Sequence, residues 1–199
     1  GIGFLKEGLI TSNASCTTNA TTPVLSIMMK AIGVKKAVLN TIHGYTATQG
    51  LVDRPDHDYR RGRAASVSIV PSHTGAAEAT EKAIPEIKGR FDGISMRVPV
   101  ISGSLIDLTF IAERKTTAEE VNNILKEAAE TGEWQGIMKV AEDQLVSADI
   151  LGEPYGSIAD LAFTRVVDGD LVKILAWYDN EWGYAAMLIK HIEELKPLL

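Results

Sequence analysis

Residues 12–43 of this 199-residue chain read SNASCTTNATTPVLSIMMKAIGVKKAVLNTIH. The apolar residues at positions 18–32 recur at helical spacing, and Gly33 is a suitable C-terminal stop for a helix. Because Pro23 falls early in this stretch, we expect an irregular first turn. Residues 34–43 then read as a strand. The core residues of this strand are taken to be Ala37, Val38, Leu39 and Ile42.

The rest of the chain continues to mix helical and strand patterns. Alternation and apolar runs predict further strands at residues 94–98, 106–110, 158–167 and 171–178, the last two joined by a turn at 168–170. Helical spacing predicts helices at 75–83, from an N-cap at Thr116 or Thr117 to Ala128, and at 184–195. The polar segment 44–63 is longer than an ordinary connection and is typical of a functional or interface loop. We therefore predict one α/β domain with a mixed sheet.

The composition argues against several classes of protein. A net charge of −6 disfavours nucleic-acid or anionic-membrane partners but leaves room for a small phosphorylated ligand. No apolar run is long enough to span a membrane, and we assign no residue to a metal. A single cysteine excludes an internal disulfide and suits a reducing, cytoplasmic compartment. Residues 1–8 lack a signal-peptide layout and are interpreted as a linker or an expression remnant.

Cys16 is the candidate nucleophile of this chain. It is flanked by small and polar residues and directly precedes the first predicted helix. A thiol at a helix N-terminus faces unpaired backbone N–H groups and the positive end of the helix dipole, which favour the thiolate. A lone cysteine is usually a small buried apolar residue, but these flanks offer no apolar surroundings. The position therefore indicates chemistry rather than packing.

His43 is the candidate partner of that thiol. It ends the predicted strand and opens the long polar segment, a place from which a side chain can reach a cleft. An imidazole there could accept the proton of Cys16 and return it later in a cycle. Sequence separation does not establish contact, so on spacing alone an ordinary loop histidine is favoured by about two to one.

The chain resembles the phosphorylating glyceraldehyde-3-phosphate dehydrogenases. Six segments carry the resemblance, in family order and spacing: SNASCTTN at 12–19, HGYTATQ at 43–49, RRGRAA at 60–65, TGAA at 74–77, MRVP at 96–99 and WYDNEWGY at 177–184. The resemblance implies an α/β fold of the α+β type, with a mixed, largely antiparallel sheet and helices packed on one face. Residues 9–183 would form the catalytic domain, and residues 184–199 a helix that packs on a Rossmann domain.

The resemblance also implies roles for individual residues. Cys16 would attack an aldehyde to form a thiohemiacetal, while His43 would lower the pKa of the thiol and act as base and acid. Hydride transfer to NAD or NADP would leave a thioacyl-enzyme, which inorganic phosphate would release as an acyl phosphate. Thr46 and Arg97 would hold the phosphate of glyceraldehyde 3-phosphate, and Asn180 would contact the nicotinamide. The attacking phosphate would be held by Ser15, Thr17, Thr74 and Gly75.

Two details of the anion sites follow from the same segments. Arg97 alternates with Ile94, Met96 and Val98 in a pattern typical of a half-buried strand, so we expect it to point away from that apolar face. One arginine of the RRGRAA segment would also approach the phosphates. The sequence leaves open which of Arg60, Arg61 and Arg63 this is.

The chain departs from the family in one large respect. The family carries a Rossmann domain ahead of the cysteine segment, and no Gly-x-Gly-x-x-Gly follows a strand in this sequence. We therefore expect that the main NAD(P)-binding domain is absent from this chain, that the chain alone is inactive, and that a Rossmann cofactor domain is its partner. A homo-oligomer is also implied. NAD or NADP preference stays open, and the alternatives are an erythrose-4-phosphate dehydrogenase or a non-catalytic assembly or phosphate-binding module.

Overall fold

The computed structural model describes residues 10–196, so the interpretation of residues 1–8 lies outside the described residues. The strands are β1 (Val34–Gly44), β2 (Val70–His73), β3 (Phe91–Val98), β4 (Ser104–Ala112), β5 (Met138–Ala141), β6 (Ser157–Val167) and β7 (Leu171–Tyr178). The α-helices are α1 (Cys16–Ala31), α2 (Ala76–Ala83), α3 (Ala118–Glu130) and α4 (Trp182–Leu195). Single 3₁₀ turns lie at Pro85–Ile87, Gly132–Trp134 and Ser147–Ile150.

All of these strands join one seven-stranded sheet in the order β2-β3-β1-β4-β7-β6-β5. The pairs β1–β3 and β5–β6 are parallel, and the other four pairs are antiparallel. The expected mixed, largely antiparallel sheet is therefore confirmed. Strands β2 and β5 were not predicted, because each has only four residues and β2 contains Pro71, which suits the sheet edge where this strand lies.

The core lies between one face of the sheet and the helices. In β1 the side chains of Ala37 and Leu39 are buried against the helices, whereas Val38 is 59% exposed on the opposite face. The expectation that Val38 belongs to the core is therefore wrong, because successive residues of a strand point to opposite faces. In β4 and β7 the same alternation buries the apolar residues of one face, so the expected packing of helices on a single face is confirmed.

Strand β3 turns its apolar side away from the core. Ile94 is 48% exposed, while Ser95 is 2% exposed. The parallel register pairs Thr41 with Ser95 and His43 with Arg97, so both β3 residues share the helix-covered face with the buried side chains of β1. Arg97 does point away from Ile94, as predicted, but it points inward rather than to solvent.

The helices begin close to the predicted positions. Helix α1 is continuous from Cys16 and contains a buried Pro23, so the expected irregular first turn is not observed. The N-cap of α3 is Thr117, whose hydroxyl accepts the backbone N–H of Glu120 at 3.1 Å. Helix α4 buries Met187 and leaves its other large apolar side chains more exposed. None of the helices within residues 10–196 has the length and hydropathy needed to cross a bilayer.

Candidate active site

Cys16 is the first residue of α1. Ser15 is the N-cap, and its hydroxyl accepts the backbone N–H of Thr18 at 3.1 Å. Ala14, with φ +55°, adopts the left-handed conformation just before this cap and turns the chain into the helix. The thiol consequently sits at the N-terminal end of a sixteen-residue helix, as the sequence predicted.

His43 lies next to this thiol. Its Nε2 is 3.6 Å from Sγ of Cys16, so the contact that spacing alone could not establish is present. His43 is the second-to-last residue of β1, directly before Gly44, and it is buried at 4% exposure. The helix start and the strand end are thus brought together to form a Cys–His pair.

Arg97 reaches the other side of the imidazole. Its Nη1 lies 2.7 Å from Nδ1 of His43 and donates to the carbonyl of Gly44 at 3.1 Å. The Nε of Arg97 is buried and has no hydrogen-bond partner among the described residues. An arginine with an unused buried donor beside a cavity is suited to bind an anion.

A single cavity of about 290 Å³ joins these groups. Seven of the nine residues assigned from the sequence line it: Ser15, Cys16, Thr17, His43, Thr74, Gly75 and Arg97. Ser95 and Thr41 also line it and were not assigned. The cavity therefore combines a thiol, an imidazole, a guanidinium and several hydroxyls on one surface.

Two assigned residues lie outside this cavity. Thr46 is in the segment after β1, where its hydroxyl pairs with that of Thr48 at 3.2 Å. Asn180 follows β7 and is 9% exposed; its Oδ1 accepts the N–H of Gly103 at 3.1 Å and the hydroxyl of Ser104 at 2.9 Å. In this structure Asn180 therefore anchors the start of β4.

The sequence analysis gave no role to Tyr178, which lies beside the Cys–His pair on the buried face of β7. Its hydroxyl forms hydrogen bonds of 2.8 Å with Thr17 and with Thr41. Its ring meets that of His43 edge-on, with centroids 6.0 Å apart. The alternation of β7, which places Tyr178 on the buried face, is the signal that could have identified it. The hydroxyl of Thr17, assigned to phosphate, is engaged by this tyrosine.

The surroundings of Cys16 do not favour the thiolate that the sequence predicts. Burial raises the pKa of the Cys16 thiol, and the hydrogen bond with Thr17 and the charge of Arg97 offset only part of that rise. Burial, and then the charge of Arg97, lower the pKa of His43 to about 4. Burial therefore favours the neutral form of both side chains.

Arg61 is the arginine of the RRGRAA segment whose charge acts on Arg97. Its Nε donates to the hydroxyl of Ser72 at 3.2 Å, and its charge, after burial, lowers the pKa of Arg97. Arg63 instead forms an ion pair with Asp53 at the surface. Which of the three arginines contacts an anion stays a prediction.

The carboxamide of Asn180 lies outside the cavity, and the metal-ligating side chains of the described residues do not cluster. Asn180, the residue assigned to the nicotinamide, has its carbonyl oxygen occupied by the backbone and side chain of the turn before β4. Within residues 10–196 no group of three or more His, Cys, Asp or Glu side chains converges on a metal position.

Comparison with known proteins agrees with this description. A domain with a Cys–His pair at a helix N-terminus and an arginine in the same cavity belongs to the class suited to covalent thiol chemistry on an anionic substrate. The profile of the family "Glyceraldehyde 3-phosphate dehydrogenase, C-terminal domain" matches residues 15–180. The chain belongs to this family.

Curated relatives extend the match across nearly the whole chain. The chain is 46% identical over 190 residues to glyceraldehyde-3-phosphate dehydrogenase of Zymomonas mobilis, covering 96% of this chain and 56% of the relative. It is 49% identical over 180 residues to glyceraldehyde-3-phosphate dehydrogenase 2 of Streptomyces avermitilis, covering 90% and 53%. For the enzyme of Borreliella burgdorferi the identity is 44% over 185 residues, covering 92% and 55%. The chain thus spans about half the length of these relatives.

Proposed function

We propose that this chain is the catalytic half of a phosphorylating glyceraldehyde-3-phosphate dehydrogenase. The observation that carries the proposal is the 3.6 Å contact between Sγ of Cys16 and Nε2 of His43 in a cavity that also holds Arg97. The family membership and the names of the relatives support the same reaction. The substrate would be glyceraldehyde 3-phosphate, with inorganic phosphate as the acyl acceptor.

The thiol chemistry follows from the placement of the groups. Cys16 adds to the aldehyde carbon while His43 accepts the thiol proton, giving a thiohemiacetal. The backbone N–H at the start of α1 is available to the developing oxyanion. NAD or NADP, held by a separate Rossmann domain, would accept the hydride that leaves the thiohemiacetal carbon, so that Cys16 would carry an acyl group. Phosphate oxygen then attacks the acyl carbon, the C–S bond breaks, and the thiolate takes back a proton.

The anion sites are supported by the donors around the cavity. Arg97, whose buried Nε has no hydrogen-bond partner within residues 10–196, is proposed to hold the substrate phosphate together with Thr46. The acceptor phosphate is proposed to bind near the start of α1 and α2. Its proposed ligands are Ser15, Thr17, Thr74 and Gly75.

The exposed apolar surface of the domain supports a proposal about its partners. On α4 the side chains of Trp182, Ile189 and Ile192 are at least half exposed, and we propose that this helix packs on the Rossmann domain. On the open face of the sheet, Val38 and Ile94 are exposed, which supports a homo-oligomer. We further propose a cytoplasmic, glycolytic role, in keeping with the unpaired thiol of the single cysteine.

One step of this reaction can be tested without a dinucleotide. Acetyl phosphate should acylate Cys16 with release of inorganic phosphate, which is the reverse of the phosphorolysis step. Intact-mass and peptide spectra of this chain should show one acetyl group on Cys16. Cys16→Ser should abolish the modification and His43→Asn should slow it, while His73→Asn, an exposed histidine on β2, is the matched control.

The dehydrogenase activity itself requires the mixed assay. Aldehyde oxidation with NAD and phosphate should appear when this chain is combined with a separately expressed Rossmann domain from a relative. If a folded chain showed neither acylation nor oxidation, the proposal would be contradicted and a non-catalytic phosphate-binding module would be favoured.

A further inference from the structure

Ser95 lies on the inward face of β3, and no role has been assigned to it. Its side chain is 2% exposed and lines the same cavity as Cys16, His43 and Arg97. Its hydroxyl oxygen is buried and has no hydrogen-bond partner within residues 10–196. A buried hydroxyl that stays without a partner destabilises the folded protein, so the placement of this oxygen needs a reason.

The other hydroxyl groups that line the cavity are already engaged. Each of them has a hydrogen-bond partner in the protein: Ser15, Thr17, Thr41 and Thr74. Among the described residues, Ser95 is therefore the one lining hydroxyl without a hydrogen bond to the protein. It can donate a hydrogen bond to a bound molecule without breaking an existing one.

A second unused donor lies two residues further along the same strand. The Nε of Arg97 is buried and has no partner in the part of the chain that the structure describes, whereas its Nη1 donates to the carbonyl of Gly44 at 3.1 Å. Side chains two residues apart in a strand share a face, and the rise of about 3.3 Å per residue places their Cα atoms about 7 Å apart. A phosphate group that is bonded through two of its oxygens can reach both donors.

The charge of the cavity favours an anion over a cation. Arg97 brings a positive charge, and none of the described residues that line the cavity is an Asp or a Glu. Burial, and then the charge of Arg61, lower the pKa of Arg97, so the guanidinium is desolvated and repelled by a like charge. A phosphate group relieves both effects, because it carries negative charge and several acceptor oxygens.

We propose that Ser95 is a further binding residue of this cavity, and that its hydroxyl donates to a phosphate group that Nε of Arg97 also binds. The inference rests on the proposed function, in which the cavity takes part in binding two phosphate groups. The group on Ser95 belongs to the aldehyde substrate or to the acyl acceptor, and its chemistry is the same in both cases. If Ser95 only kept the cavity open, its oxygen would be dispensable for binding, which a variant without that atom can test.

Titration of this chain with inorganic phosphate and with glycerol 3-phosphate, followed by ³¹P NMR, tests the inference. Ser95→Ala should weaken the binding of at least one of these anions about tenfold, because a hydrogen bond to a charged group is lost. A loss for inorganic phosphate alone places Ser95 at the acyl acceptor, a loss for glycerol 3-phosphate alone places it at the substrate, and a loss for both indicates a shared position. Ser157→Ala is the matched control, since that hydroxyl is also buried and unpartnered within the described residues but does not line the cavity. The control should bind both anions as the unmodified chain does.

Stability in the absence of an anion gives a second readout. Because neither hydroxyl has a partner, Ser95→Ala and Ser157→Ala should leave the urea midpoint unchanged or slightly higher. A lower midpoint for Ser95→Ala with unchanged anion affinity would show a structural hydroxyl and overturn the inference, as would an unmodified chain that binds neither anion. If Cys16 is acetylated by acetyl phosphate while Ser95→Ala binds both anions normally, the inference is overturned and the proposed function stands. A chain that binds phosphate through Ser95 but is not acetylated would support the inference and contradict the proposed function.

Discussion

Replacing Tyr178 by Phe should destabilise the domain by removing one buried hydroxyl. That hydroxyl forms 2.8 Å hydrogen bonds with Thr17 and Thr41, which are 5% and 1% exposed. Thr41 retains the carbonyl of Leu105 at 3.4 Å, whereas the hydroxyl of Thr17 keeps only the Cys16 thiol, a weak partner. A lost buried hydrogen bond costs about 1 kcal/mol and a poorly satisfied hydroxyl about 1–3 kcal/mol, so the free energy of unfolding should fall by about 2 kcal/mol. The phenyl ring keeps its packing.

Urea unfolding followed by circular dichroism measures this loss. The midpoint should fall while the slope with denaturant stays constant, because the exposed area on unfolding is unchanged. Tyr155→Phe is the matched control, since that half-buried ring has no hydroxyl hydrogen bond within residues 10–196, and it should change stability by less than about 0.5 kcal/mol. Adding Thr17→Val to Tyr178→Phe should recover part of the loss. If Tyr178→Phe costs no more than Tyr155→Phe, the reasoning is refuted.

Three further predictions concern stability. His43 has a pKa of about 4 in the folded chain against 6.5 when exposed, so the unfolded chain binds more protons between these two pH values. The free energy of unfolding should therefore drop by about 3 kcal/mol as the pH falls from 6.5 to about 4. His43→Gln should flatten this drop in urea titrations. Thr117→Ala removes the N-cap bond to Glu120 and should cost about 1 kcal/mol by thermal or urea unfolding, while Thr117→Ser should retain most of it. Gly93→Ala would place a methyl group 2.9 Å from the carbonyl and Cβ of Leu39, so it should cost about 1–3 kcal/mol, and an unchanged urea midpoint would contradict that contact.

The long elements of the fold were predictable because their patterns are local. Helix α1, strand β1 and the hairpin of β6 and β7 carry clear periodicity, and the turn at Asp168 and Gly169 has the positive φ that such a hairpin needs. The orientation of β3 was not predictable from alternation. Its apolar side faces outward because the inward side serves a polar cavity, and a strand pattern does not show which side that is.

Of the candidate site, only the residues that carry reactive groups were predictable from the sequence. Cys16 and His43 each occupy the end of a regular element, and the structure brings these ends together. The burial of Tyr178 follows from the alternation of β7, but its partners Thr17 and Thr41 were not predictable, because they are 161 and 137 residues away and no local pattern links them. The contacts of Asn180 likewise depend on a turn that is distant in sequence.

The link between Tyr178 and Thr17 also bears on the order in which the chain folds. Strand β7 lies between β4 and β6, and its last residue reaches the start of α1 across 161 residues of chain. Closing so long a loop is slow compared with forming a helix or a hairpin. During synthesis the thiol therefore leaves the ribosome long before its supporting tyrosine does. A nascent chain can fold α1 early, but the arrangement around the thiol is one of the last parts of the domain to be completed.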